Sequence, residues 1–249
     1  LPKHINRFTD YLKDEQFLGL FNFREFTRSV ASLIDYPLDF SAGLLLTGED
    51  SLGIGPMPWP MLVALGAVLG WYLKGWQLSL LTGLSIFYFA VFGLWEDSMK
   101  TLAVVAVSVP VAGLLGFSLG LLAAKRRWFE RILLPFLNVL QAFPHFSYLL
   151  PVVVFVGLSN KAGVIATIVF AFPPMARLTL LGLRGISPEI IEAGEMSGAT
   201  PRQMLWKVEL PAARRALMVG VNQVVMGCLG MVVVASFIGT NGLGLELKG

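Results

Sequence analysis

The side chains that carry out chemistry in enzymes are few in this chain, and their spacing is not catalytic. His4 and His145 are its only histidines and Cys228 is its only cysteine, and none of them has the Cys/His/carboxylate spacing of a metal site. The chain also contains no Gly-x-x-x-x-Gly-Lys-Ser/Thr loop, the pattern that binds the phosphates of a nucleotide. We therefore expect a protein that performs no covalent reaction and holds no metal, ATP or other cofactor itself.

Charged residues in the second half of the chain concentrate in one segment, residues 184–214. Ser187 and Pro188 have the pattern of a helix start, in which a hydroxyl caps the first turn and a proline follows where no amide partner is needed. Glu189 and Glu192 fall in the first turns, where the helix dipole favours negative charge. The pattern predicts a short helix at this point.

The same segment contains a stop and a second start. Gly198 can adopt the left-handed conformation that ends many helices, and Thr200 and Gln203 have the spacing of a reciprocal capping box. The prediction is a helix, a tight turn and a helix, and we name residues 184–214 the elbow. Because a few residues would suffice to join two spans, we interpret the elbow as a docking element. A solvated hairpin that packs on the ends of the bundle is the alternative.

The composition requires lipid as the solvent around the rest of the chain. Hydrophobic residues make up 55% of the sequence and charged residues only 14%, and the mean hydropathy is +0.71, which leaves too little polar surface to coat a water-soluble globule. The net charge of +3 lies in short loops, where it sets membrane topology and does not indicate nucleic-acid binding. We expect an all-α, polytopic bundle of membrane helices.

Long runs without formal charge approach or exceed the roughly 20 residues that a helix needs to cross about 30 Å of hydrocarbon. The predicted spans are approximately 58–73, 76–95, 100–124, 132–157, 162–183 and 215–238. Basic residues cluster after the third span and in the elbow, so both loops should face the cytoplasm. Alternation then puts Lys74 inside and Glu96, Asp97, residues 159–161 and the amino-terminal segment outside.

The two ends of the chain differ from the middle. Residues 1–57 mix charged residues with Phe and Leu, and we expect an amphipathic arm at the membrane surface, with a soluble packing arm as the alternative. The membrane domain would then cover residues 58–249. The chain begins without methionine and stops soon after a loop-like Gly-rich stretch, so we expect a part of a longer protein.

Prolines interrupt several spans, although a plain lipid anchor would need none. Each removes a backbone donor and predicts a kink whose freed carbonyl must be satisfied by neighbours or water, which favours a bundle around a pathway. An ion-coupled transporter would require an acidic residue deep in the spans, and none is visible. Arg177 lies near the cytoplasmic end of the fifth span, where its side chain can snorkel. The prolines are Pro110, Pro135, Pro144, Pro151, Pro173 and Pro174.

Polar and aromatic side chains within the spans are candidates to line the pathway, although helix–helix hydrogen bonds and ordinary packing explain them equally well. His145 is more simply explained as a satisfied or packing histidine than as a residue that lines the pathway. The candidates are Asn138, Gln141, Phe143, His145, Tyr148, Asn222 and Gln223.

The elbow resembles the EAA loop of ABC importer permeases, whose pattern is Glu-Ala-Ala, three residues, Gly, nine residues, Ile, one residue and Leu-Pro. Gly194 replaces the second alanine and Val208 replaces the isoleucine, both mild departures. The resemblance implies that the elbow is the coupling helix that sits in a groove of an ATPase subunit. The implied coupling residues are Glu192, Ala193, Gly194, Gly198, Ala199, Thr200, Pro201, Val208, Leu210 and Pro211.

A longer resemblance, over roughly residues 58–244, is to the permeases for glycine betaine, proline, choline and related methylated amines. The stretches that carry it include QAFP at 141–144, YLLP at 148–151, FAFPP at 170–174, SGATPRQML at 197–205, GVNQ at 220–223 and GLG at 242–244. Family permeases carry one more helix after the last motif, which is a further reason to expect a truncated chain.

This resemblance implies a type I ABC importer permease in the bacterial cytoplasmic (inner) membrane. The implied partners are a dimer of ATPase subunits that bind ATP and Mg²⁺, an extracytoplasmic binding protein, a second permease copy and membrane lipid. The implied cargo is glycine betaine, proline, choline, carnitine or trimethylamine N-oxide, whose methylammonium group aromatic faces could attract. A permease for a sulfonate, nitrate or amino acid, an ion-coupled secondary transporter, and a channel or scaffold remain alternatives.

Overall fold

The chain is helical almost throughout the part that the computed structural model describes, which is residues 16–17, 21–47, 55, 57–156 and 159–236. Two strands of two residues, β1 (Gln16–Phe17) and β2 (Phe21–Asn22), pair antiparallel with Phe17 opposite Phe21. The all-α fold predicted from the sequence is confirmed. Most of the predicted arm before residue 21 and the GLG motif at 242–244 lie outside the described residues.

The helices follow one another with short connections. In chain order they are α1 (Phe23–Ala42), which continues as a π-helical turn (Gly43–Thr47), α2 (Trp59–Lys74), α3 (Trp76–Val91), α4 (Trp95–Lys125), α5 (Arg127–Ala142), α6 (His145–Val156), α7 (Asn160–Arg184), α8 (Pro188–Met196), α9 (Pro201–Gln203), a second π-helical segment (Met204–Glu209) and α10 (Leu210–Ser236).

Not all of the predicted spans have the length of a full crossing. Within the described residues, α4, α7 and the continuous helix Pro201–Ala235 are long and apolar enough to cross a membrane. By contrast, α2 and α3 have 16 residues each, or about 24 Å of helix. Gly75 alone joins them, with φ of +83°, and the Thr82 hydroxyl donates to the Gly66 carbonyl across the pair at 2.8 Å. This tight apolar hairpin is shorter than an average bilayer core.

The span predicted over residues 132–157, with a kink at Pro144, consists of two helices, α5 and α6, with a bend of 100° between them. The chain bends at Phe143, which is extended with φ of −77° and ψ of 138°, and α6 begins after Pro144. A proline disfavours helical geometry in the residue before it and offers no amide to continue the ladder, so the break falls here. At the other five predicted kink sites the helices continue through the proline.

The chain divides into two compact units, and the first comprises Leu1–Val107, Val152–Val164 and Val232–Gly249. Its buried core contains Leu45 from the end of the arm together with Leu62, Met99 and Ala103 from α2 and α4. The arm therefore packs on helices of this unit with its apolar face. The predicted boundary between arm and membrane domain at residue 57 stays a prediction.

The second unit comprises Ser108–Pro151 and Ile165–Met231. Of the three described helices that are long enough to cross a membrane, α7 is the most buried. Gly116 of α4 lies against Phe172 and Met175, and Gly120, one turn later, lies against Ala176 and Thr179. Because the contacts advance towards the carboxyl end along both helices, these parts of α4 and α7 run parallel. The basic cluster after α4 and the start of the elbow after α7 therefore lie at the same end of this unit.

Candidate functional site

The first helix of the elbow begins where the sequence predicts, but its cap differs. Ser187 is extended and α8 begins at Pro188, yet the Ser187 hydroxyl makes no capping bond to the helix backbone. The Glu189 carboxylate instead accepts hydrogen bonds from its own backbone N–H and from the Ser187 hydroxyl, and these lower its pKa below the usual value. The predicted cap is thus replaced by a side-chain pair that keeps the first-turn charge ionised, as the helix dipole favours.

The turn after α8 has the hydrogen bonds of a Schellman motif. Gly198 has φ of +70°, the left-handed conformation that the sequence predicts at this position. Its N–H donates to the Glu195 carbonyl at 2.9 Å, and the Ala199 N–H donates to the Gly194 carbonyl at 3.2 Å. These two bonds satisfy carbonyls at the end of α8 and fix the direction in which the chain leaves it.

The second start is the predicted capping box. The Thr200 N–H donates to the Gln203 Oε1 at 2.9 Å, and the Gln203 N–H donates to the Thr200 Oγ1 at 3.4 Å. Pro201 occupies the first helical position, where its missing amide costs nothing. The helix that begins here continues without a break into α10, so the second arm of the elbow is the start of a membrane helix and not a separate short helix.

The two arms of the elbow pack together at a glycine. Gly194 is buried, and a Cβ at this position would lie 2.8 Å from Met204 Cε and 3.3 Å from Val208 Cγ2. The Met204 side chain therefore occupies the space that alanine fills in the EAA pattern. Sequence reasoning missed Met204, and only the pairing of an unusual glycine with a bulky residue ten positions later could have indicated it.

Most of the predicted coupling residues lie on the surface of the elbow. Glu192, Ala193, Gly198, Thr200, Pro201 and Pro211 are exposed, Ala199, Val208 and Leu210 are half-buried, and Gly194 is buried. Three further apolar side chains extend this surface: Ile190 is 44% exposed, Met196 90% and Trp206 67%. A polar loop that keeps large apolar groups in solvent is typical of a surface that a partner covers.

An ion pair anchors the elbow to the neighbouring helix. The Arg184 guanidinium at the end of α7 lies 2.6 Å from the Glu130 carboxylate near the start of α5. The two residues are 54 positions apart, so the pair fixes the base of the elbow against α5.

The candidate pathway residues fall on two parts of the second unit. Asn138, Gln141, Phe143 and His145 are exposed around the bend between α5 and α6. Tyr148 is buried, and its hydroxyl donates to the Leu140 carbonyl, which also accepts from the Phe143 N–H at 3.2 Å. The carbonyl at the end of α5 therefore has a backbone donor and a side-chain donor from α6.

Aromatic rings pack where α6 meets α7. The centroid of the Phe170 ring lies 4.4 Å from that of His145 and 5.5 Å from that of Tyr148, the latter edge-on. Rings this close fill the space between them, which is the packing role expected for His145.

Asn222 and Gln223 lie on exposed positions of α10. Asn222 lines an open groove of about 810 Å³ together with Arg214, Arg215, Met218 and other residues of the same helix face. On its other side α10 packs against α7, where Gly220 contacts Met175. The structure therefore places one candidate amide in a groove beside the start of α10.

Arg177, which the sequence predicts to snorkel, has a polar partner on a neighbouring helix. Its Nη2 donates to Asn138 Oδ1 on α5, and the side chain is partly buried. The partner belongs to α5, which packs antiparallel on α7, and the snorkelling of Arg177 stays a prediction.

The chain is similar to known proteins over the region that contains these motifs. Residues 116–248 match the family described as binding-protein-dependent transport system inner membrane component. The trimethylamine N-oxide transport system permease protein TmoV of Ruegeria pomeroyi is 45% identical over 238 residues, which are 96% of this chain and 35% of that protein. The glycine betaine/proline betaine transport system permease protein ProW of Escherichia coli is 38% identical over 223 residues, 89% of this chain and 62% of that protein.

A solved structure agrees with these relatives. The MetNI methionine ABC transporter in an inward-facing conformation matches with a TM-score of 0.51 and 27% identity, over 65% of this chain and 79% of that one. The chain spans about a third of TmoV and less than two thirds of ProW. The resemblance noted in the sequence and the type I permease fold that it implies are confirmed. The family match covers more than half of the sequence and includes the whole elbow, so the chain belongs to the family of binding-protein-dependent transport system inner membrane components.

Proposed function

We propose that this chain is the permease subunit of an ATP-driven importer for a methylated amine or similar compatible solute. The observation that carries the proposal is the elbow, in which a Schellman turn and a capping box hold the EAA-like residues in a rigid, largely exposed surface. Such a surface suits a separate motor protein, because a rigid handle transmits displacement whereas a flexible loop would absorb it. Two relatives are named as permeases for trimethylamine N-oxide and for glycine betaine and proline betaine.

The proposed division of labour assigns no ATPase site to this chain. A dimer of ATPase subunits would bind ATP and Mg²⁺ and close on the elbow, a second permease copy would complete the pathway, and an extracytoplasmic binding protein would deliver the solute. Ile190, Met196 and Trp206 would enter the ATPase groove, where burial of their exposed apolar surface favours association. Lipid surrounds the apolar helices.

The elbow can be tested at Gly198. Proline there would force φ to about −65°, incompatible with the observed +70°, and would remove the N–H that donates to Glu195. With the permease, ATPase and binding protein reconstituted in vesicles, we expect Gly198→Pro to lower solute uptake and solute-stimulated ATP hydrolysis at least about tenfold. Gly198→Asn is the matched control, because asparagine tolerates the left-handed conformation and keeps the N–H, and it should retain uptake within about twofold.

Membrane insertion of both variants is measured by extraction and size-exclusion chromatography. Normal coupled transport by inserted Gly198→Pro would refute the coupling role. Uptake that persists without nucleotide and collapses with an ionophore would instead indicate an ion-coupled carrier.

The cargo is tested on the binding protein. Calorimetric titration with glycine betaine, proline, choline, carnitine and trimethylamine N-oxide should identify at least one tight ligand. The likeness to the methionine transporter makes an amino acid the second candidate, so methionine belongs in the same titration. Binding of methionine alone would exclude the methylated amines.

A further inference from the structure

Two arginines of α7 have different partners. Arg184 at the end of the helix pairs with the carboxylate of Glu130 on α5. Arg177, seven residues earlier, faces the same helix α5 but meets the neutral amide of Asn138. Neighbouring positions of one helix pair thus supply a carboxylate for one guanidinium and only a carbonyl oxygen for the other.

The charge of Arg177 is left without a counter-ion. Among the described residues no carboxylate forms an ion pair with it, and its Nε is buried without a hydrogen-bond partner. Unpaired charge in a membrane-spanning helix is costly, and an ionisable residue there is by default a functional group. Arg177 lies seven residues before Arg184, so it is about 10 Å further from the elbow along α7.

The surroundings of Arg177 are accessible from one side. Asn138 is exposed, and so is Gln141, which lies one turn further along the same face of α5. A small molecule at this face would meet the amides of Asn138 and Gln141, and Asn138 accepts directly from the guanidinium of Arg177. A guanidinium provides paired N–H donors that match a carboxylate better than any other group.

We propose that Arg177 and Asn138 form a transient binding site for the anionic oxygen of the transported solute, a carboxylate or an N-oxide. The identity of the ligand rests on the proposed function, whereas the anion selectivity does not. The site would favour glycine betaine, proline, carnitine and trimethylamine N-oxide over choline, which has no anionic oxygen. A lipid phosphate offers the same chemistry from a second source.

The native cysteine makes a labelling experiment practicable. Cys228 is fully buried, so a cysteine introduced at Gln141 should be the reactive thiol of the described part of the chain. In nanodiscs without any ATPase, the rate of labelling is measured with a methanethiosulfonate that carries a sulfonate and with one that carries a trimethylammonium group. Near an unpaired guanidinium the anionic reagent should react at least about fivefold faster relative to its rate on a free thiol.

Three variants in the Gln141→Cys background locate the charge. Arg177→Gln should abolish the anion preference. Asn138→Asp should do the same, because it supplies an internal counter-ion. Arg131→Gln, which removes an exposed arginine of the same helix, should leave the preference intact.

Protection of the introduced thiol from labelling distinguishes the two sources of the anion. Slower labelling with millimolar glycine betaine, and not with choline, assigns the site to the solute. Slower labelling when anionic phosphatidylglycerol replaces zwitterionic phosphatidylcholine, seen with Arg177 present and lost in Arg177→Gln, assigns it to an anionic lipid headgroup. The proposal is overturned if Arg177→Gln leaves the preference unchanged, if choline protects as well as glycine betaine, or if glycine betaine gives no protection, whether or not lipid does. Since no motor is present, these outcomes are independent of the Gly198 experiment.

Discussion

At the scale of single residues, two similar capping sites of the elbow use their hydroxyl groups differently. Ser187 and Thr200 are both extended and both precede a proline in the first helical position. Three residues after Thr200 stands Gln203, whose amide completes a reciprocal box, whereas the Ser187 hydroxyl is engaged by Glu189. The residue two or three positions ahead therefore decides whether a hydroxyl caps the backbone or pairs with a side chain.

The contrast yields a prediction for the local stability of the elbow. Thr200→Val removes the acceptor of the Gln203 N–H and should destabilise this turn by about 1 kcal/mol, the usual cost of a lost cap. Hydrogen exchange of the amides at 199, 200 and 202–204, measured in nanodiscs, should become about fivefold faster. Ser187→Ala is the matched control, because its hydroxyl makes no backbone cap, and it should change exchange at the start of α8 by less than about twofold. Equal effects of the two substitutions would contradict the assignment of the box.

At the scale of elements, glycines determine how closely helices approach α7. A Cβ at Gly116 would lie 2.5 Å from the Phe172 carbonyl oxygen, and one at Gly120 would lie 2.6 Å from Thr179 Cβ. Because the obstructing atoms include backbone or the rigid base of a β-branched side chain, they cannot move aside as the end of Met204 could beside Gly194. The parallel packing of α4 on α7 therefore depends on having no side chain at these two positions.

This packing predicts a sharp difference between two glycines of α4. Gly120→Ala should lower the free energy of unfolding by about 1–3 kcal/mol, because the methyl group must push α4 and α7 apart. Gly113 has no neighbouring atom within 4 Å of a Cβ, so Gly113→Ala should be neutral or stabilise the helix by up to about 1 kcal/mol. Thermal unfolding of the purified variants in detergent measures both changes in stability. A Gly120→Ala protein as stable as the parent would show that the two helices are not in close contact.

At the scale of the whole molecule, features set by local sequence were predictable and features set by distant partners were not. The all-α class, the left-handed turn at Gly198 and the capping box follow from residues at most a few positions apart. The hydrogen-bond partner of Arg177 is 39 positions away, and no periodicity indicates it. Six prolines predict six kinks, but the one clear break is at Pro144. At the other five prolines, neighbouring groups and adjusted backbone can satisfy the carbonyls that the proline frees.

The last prediction concerns which side of the membrane each loop faces. The basic cluster after α4 and the elbow lie at one end of the second unit, and positively charged loops stay in the cytoplasm. Cysteines are introduced singly at Trp128, Ser197 and Glu96, all exposed, in a chain whose own Cys228 is buried. A membrane-impermeant maleimide should label the first two only in inside-out vesicles and the third only in intact cells. The parent chain should remain unlabelled on both sides. Labelling of Ser197→Cys from outside would put the elbow beyond the reach of any cytoplasmic ATPase, and the proposed function would fail even if every helix were correctly assigned.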